Sequence, residues 1–107
     1  MAIACPVDLN TAVLRAEISN IYGRVATAPD GDFHFHRGPA YAAEFLRYDP
    51  AEMECLPSEC TASFAGIGNP LAIGPLRSGE TIIDIGCGAG MDLLLPASRV
   101  SPHGTAI

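Results

Sequence analysis

Lysine is absent from this chain of 107 residues, and all six of its side-chain cations are arginine. Against twelve acids they leave a net charge of −6. Nucleic acids and anionic membranes select clustered positive charge, so neither is an expected partner. The missing lysine also excludes a P-loop, which needs an ammonium group on the phosphates. No apolar run approaches the roughly 20 residues of a membrane span. The opening Met-Ala-Ile-Ala-Cys-Pro is too short for a secretory leader. Cysteine is sparse and irregularly spaced, at Cys5, Cys55, Cys60 and Cys87. That spacing excludes a Cys-x-x-Cys zinc knuckle and, with no leader, points to reduced thiols in a cytoplasm and no metal site.

What is present is a folding sequence. Hydrophobic residues make up 49% and charged residues 17%, which excludes intrinsic disorder. Residues 7 to 27 carry Val13, Leu14, Ile18, Ile21, Tyr22 and Val25 at helical spacing, a stripe expected to pack in the core, with Asp8 or Asn10 as cap. Phe33-His-Phe-His36 alternates along an extended piece, placing both imidazoles on one side, where they either chelate a metal or face a loop. A second helix is expected from Pro39 to Arg47. Asp49-Pro-Ala-Glu52 combines a cap, a first-turn proline and an acid, opening a short helix to Leu56 that Pro57 stops. Ser58 to Gly68 has a loop composition, and Asn69-Pro70 repeats the cap-plus-proline signal ahead of Leu71, Ala72 and Ile73.

The texture changes after Ser78. Thr81-Ile-Ile-Asp-Ile85 is β-branched and apolar on both faces, as a buried parallel strand would be. Gly86-Cys-Gly-Ala-Gly90 follows, then a helical pattern from Met91 to Val100, then a turn, then the start of a second strand at Thr105. Pro96 lies within that helix and is expected to kink or shorten it. A glycine run between strand and helix lets a ligand approach the backbone, beside the free N–H groups of a helix start. The dinucleotide pattern G-x-G-x-x-G fails, because Met91 occupies its last position. Asp84 at the strand end would repel a pyrophosphate and suit an ammonium or sulfonium. The competing reading is a tight β–α turn with a capping acid. A βαβ unit cut near its last strand leads to the expectation that the chain is the N-terminal part of a longer protein.

Thr81-Ile-Ile-Asp-Ile-Gly-Cys-Gly-Ala-Gly90 resembles the first motif of the Rossmann-like S-adenosylmethionine-dependent methyltransferases. Tyr48-Asp-Pro-Ala-Glu-Met-Glu-Cys-Leu-Pro57, Gly66-Ile-Gly-Asn-Pro-Leu-Ala-Ile73 and Leu76-Arg-Ser-Gly-Glu80 are similar to their arsenite methyltransferase branch, as is Ile21-Tyr-Gly23 more weakly. The resemblance implies an α/β fold: a helical N-terminal cap over residues 1–78, then, over 79–107, the truncated first βα unit of a doubly wound sheet. It implies S-adenosyl-L-methionine as cofactor, with Asp84 near its amino end, backbone from Gly86, Cys87, Gly88 and Gly90 against it, and Asp92 facing the same pocket. The family's ribose-binding acid falls beyond Ile107, so the piece alone is expected to be inactive. The implied reaction is in-line methyl transfer to a small soft acceptor, with the enzyme orienting both partners and excluding water.

Thiolates suit arsenite, but relatives carry cysteine where this chain has Ile67, and adjacent cysteines where it has Phe33-His-Phe-His36. Cys55 and Cys60 are the substitutes available, or else ordinary half-buried thiols; Cys87 reads as a small packing residue. The alternatives are a methyltransferase for an organic small molecule and a non-catalytic helical binding module. No catalytic residue is assigned.

Overall fold

The computed structural model describes residues 8–107, so Cys5 and the helix start expected at residue 7 lie outside the described residues. The chain divides into two compact units, one up to Gly31 and one from Asp32 to Ile107.

The first unit is built on α1 (Thr11–Thr27). Asn10, not Asp8, caps it: its side-chain oxygen accepts from the Ala12 and Val13 N–H groups, each at 3.1 Å. This satisfies two of the donors that every helix start leaves orphaned. The apolar stripe departs from the expected core role. Val13, Leu14, Ile18 and Tyr22 are exposed, and Val25 is the buried residue of the helix. Among the described residues of this unit no second layer closes over the stripe.

The second unit comprises α2 (Gly38–Glu44), α3 (Pro50–Met53), α4 (Ser58–Ala62), a 3₁₀ turn (Pro70–Ile73), β1 (Thr81–Ile82), α5 (Met91–Val100) and β2 (Thr105–Ala106). Both cap-plus-proline signals hold, with Asp49 accepting from Ala51 N–H at 2.9 Å and Asn69 from Leu71 N–H at 3.0 Å. Two helix ends fall short of expectation. α2 stops at Glu44 rather than Arg47, which takes a left-handed φ of 60°, and α3 stops at Met53 rather than Leu56. Ser58–Ala62 is a helix where a loop was expected; its small residues hide a first turn carrying Glu59, an acid favourable at a helix start.

The core joins the short helices to α5. Ala42, Tyr48, Met53, Phe64, Met91 and Leu95 form one buried cluster, with the Tyr48 and Phe64 rings edge to face at 5.4 Å. Arg99 on α5 grips Glu52 on α3 through two bonds of 2.7 and 3.2 Å. That pair is about a third exposed and adds at most about 1 kcal/mol.

β1 and β2 pair in parallel, Thr81 opposite Thr105 and Ile82 opposite Ala106, with α5 as the crossover. Pairing reaches past the strand ends, since Asp84 N–H donates to the Ile107 carbonyl at 2.9 Å. The return from α5 into β2 is tight: a Cβ at Gly104 would lie 2.4 Å from the Val100 Cβ and 2.6 Å from its carbonyl oxygen. The structure is thus mixed helical with a small parallel sheet, compatible with a βαβ unit of an α/β fold. The expected burial of both faces of β1 is not found. Ile83 and Ile85 are 65% and 95% exposed while Ile82 and Asp84 are half-buried, because α5 covers one face of the pleat only. Pro96 does not shorten α5, which runs to Val100 with the proline ring buried inside it. Among the described residues no helix is long and apolar enough to cross a membrane.

Candidate functional site

The glycine run sits at the β1–α5 junction. After Asp84 the chain makes two successive turns, at Ile85-Gly86 and Gly88-Ala89, the second closed by Gly90 N–H to the Cys87 carbonyl at 2.8 Å. Gly86, Gly88 and Gly90 have φ of 89°, 55° and 89°, the left-handed region that side chains disfavour. Gly90 serves as the cap of α5 in that conformation. At Gly86 and Gly88 nothing lies within 4 Å of where a Cβ would stand, so the outer side of the loop is open to an approaching ligand. Cys87 is exposed, which corrects its reading as a packing residue; its thiol lies 3.7 Å from the neighbouring Gly88 carbonyl.

Asp84 and Asp92 come together. Both are half-buried and line one cleft of about 280 Å³, walled on the other side by Pro70, Leu71 and Leu76. Asp92 Oδ1 accepts from the Tyr48 hydroxyl at 2.5 Å, and the same hydroxyl lies 3.1 Å from the Gly68 carbonyl. Burial raises the Asp92 carboxyl above its usual range; the Tyr48 hydrogen bond opposes that rise, and the negative field of Asp84 adds to it. Burial likewise holds the Tyr48 hydroxyl well above its ordinary value, reinforced by its bond to Asp92 and that carboxylate's charge. Two carboxylates at one apolar cleft favour a cation there, and the half-open geometry lets it enter.

The other expected site residues are not brought to this cleft. Gly86, Cys87, Gly88 and Gly90 form the loop beside it without lining it. Cys55, at the end of α3, is exposed rather than half-buried and bonds to the Ala51 carbonyl at 3.4 Å. Cys60, on α4, is half-buried. A larger hollow of about 430 Å³ between α2, α3 and α4 is lined by neither thiol and carries one acid, Glu54. The smaller cleft is the better candidate because it holds an acid pair and reaches Ile85, the residue before the open glycine turn. His34 and His36 are both exposed, with His36 stacked on Tyr41 and Phe45, and the half-buried Phe33 and Phe35 rings lie against each other at 5.6 Å. Among the described residues no three His, Cys, Asp or Glu side chains gather as a metal would need. Tyr48 opens one of the segments that carry the resemblance, but nothing local assigns it a role in the site, because its hydrogen-bond partner lies 44 positions away.

A parallel βαβ element with an open glycine turn and acids at its cleft defines a candidate ligand-binding junction of the α/β type. The chain is similar to an arsenite methyltransferase of Halobacterium salinarum, 37% identical over 68 residues. The match covers 64% of this chain, which spans about 17% of that protein's length. It supports a relationship to methyltransferases. No family model matches the chain, and no solved structure matches it.

Proposed function

We propose that this chain carries the methionine side of the cofactor site of an S-adenosylmethionine-dependent methyltransferase acting on a small, soft acceptor such as arsenite. The observation that carries the reading is the open turn at Gly86 and Gly88, set at a β–α junction directly beside the Asp84–Asp92 cleft. The fit is chemical as well as steric: no side chain fills the loop, and the nearby charges complement an ammonium or sulfonium. Residues 79–107 are then the start of a Rossmann-like cofactor domain, and residues 1–78 its helical cap. A cytoplasmic setting suits the thiols.

When bound, the cofactor supplies an electrophilic methyl group on a sulfonium. Asp84 and Asp92 would hold its cationic end, the backbone of Gly86, Cys87, Gly88 and Gly90 would face it, and the Pro70–Leu71 wall would keep water from one side. Cys55 and Cys60 are the thiols offered to a soft acceptor. A second reading, methyl transfer to an organic small molecule, is favoured by the cleft itself, whose walls hold apolar side chains and none of the described thiols.

Amide NMR spectra of the 107-residue chain titrated with S-adenosylmethionine test the proposal. Shifts should gather at Asp84, Gly86, Gly88 and Asp92, with weak affinity, and should vanish in Asp84→Asn. Silence at millimolar ligand, or shifts confined to the hollow between α2, α3 and α4, would overturn it. Methyl transfer to arsenite is expected to be undetectable with these residues alone. Adding arsenite separately should move Cys55 and Cys60 if they hold the acceptor.

A further inference from the structure

Tyr48 is 3% exposed, yet its hydroxyl meets Asp92 on one wall of the acidic cleft and the segment that leads into a second wall. Asp92 lies in the first turn of α5; the segment is met at the Gly68 carbonyl, just ahead of Pro70 and Leu71. A hydroxyl has one proton to give. The bond to the carboxylate is the shorter, as a charge-assisted bond should be, so the proton is directed at Asp92 with Gly68 as a secondary acceptor. The backbone supports this aim. Arg47 adopts a left-handed φ of 60°, a conformation that residues with side chains disfavour. Its carbonyl accepts from the Asn69 side chain at 3.4 Å. Residues 47–48 are therefore pinned to residues 68–69 at two adjacent points.

We propose that Tyr48 is the positioning residue of this cleft, holding the Asp92 carboxylate and the Gly68–Leu71 wall at the separation that receives the ligand's cationic end. One oxygen of Asp92 is engaged by the hydroxyl, and the carboxylate shares the cleft with Asp84. The role rests on the cofactor reading above and adds a residue which that reading does not contain.

Tyr48→Phe keeps the ring and removes the hydroxyl. Titrated with S-adenosylmethionine beside the parent chain, it should bind about tenfold more weakly, the worth of one hydrogen bond to a charged group. The pH midpoint of binding should also rise, because Asp92 loses the donor favouring its charged form while the Asp84 field remains. A purely packing role would leave that midpoint unmoved. Equal affinity and an equal midpoint in both proteins would overturn the positioning role and leave the cofactor reading standing. Binding by neither protein would sink both. If Tyr48→Phe does not fold, the parent chain decides through its Tyr48 hydroxyl proton. Movement of that resonance with added ligand supports the role, and a fixed resonance while Gly86 and Gly88 shift overturns it.

Discussion

α1 and α5 make an instructive pair. α1 is 17 residues long, well capped and free of proline, yet Val13, Ile18 and Tyr22 stand 56%, 44% and 55% exposed. α5 has 10 residues, a glycine cap and an internal proline, yet buries Met91, Leu95 and Val100 to 2%, 3% and 1% exposure. Intrinsic helix quality and burial run opposite ways here. What differs is the company. α5 packs on both strands and on α3, so its apolar residues meet a second layer. Local preference decides that a helix forms; the surface opposite decides how much its stripe contributes.

The strongest way to break this comparison is to truncate matching residues. Leu95→Ala should cost about 2–5 kcal/mol, as buried leucines do, and remove the cooperative melt. Ile18→Ala should change the melt by about 0.5 kcal/mol or less, as exposed changes do. Comparable losses at both positions, seen in denaturant unfolding, would show the α1 stripe to be covered. Removing a cap sharpens the contrast at lower cost. Asn10→Ala should destabilise α1 by about 1 kcal/mol, read as lost helicity in circular dichroism with the near-ultraviolet aromatic signal of the Tyr48–Phe64 pair unchanged.

The smallest expected effect is a pH slope from Asp92. Its carboxyl is raised in the fold, so the native state binds its proton more readily than the unfolded chain does. That contribution is fully present below the ordinary carboxylate value of about 4 and is lost as pH rises through the raised midpoint. Melting temperature should therefore fall over that interval in the parent chain, and the Asp92→Asn variant should lack this component. Tyr48 acts in the same sense at alkaline pH, its contribution being lost as pH climbs above the ordinary tyrosine value of about 10.

Which features could be read in advance follows from the distance between partners. Asp49 and Asn69 cap helical turns two residues on, so a short window contains the whole interaction. The order strand, glycine turn, helix, strand was legible for the same reason, because β-branching and glycine act locally. The extent of β1 was not: whether Ile83 and Ile85 are buried depends on what covers the second face of the sheet. Pro96 does not mark a helix end, because its buried ring remains within α5. Least legible were the ties between distant segments, Tyr48 to Asp92 and Glu52 to Arg99, since nothing in either sequence neighbourhood names the other. Asp84 was legible at the strand end and Asp92 only through the resemblance, whereas the tyrosine engaging Asp92 emerged only from packing.

The crowding at Gly104 has a consequence for mutational tolerance. Val100 leaves no room there for even a methyl group, and its carbonyl is backbone that cannot rotate aside. Any other residue would push Thr105 outward, loosen its grip on the Glu80 carbonyl and draw Ile107 away from the Asp84 amide. A position with no chemistry of its own, on the far side of the crossover, thereby bears on the backbone pairing at Asp84.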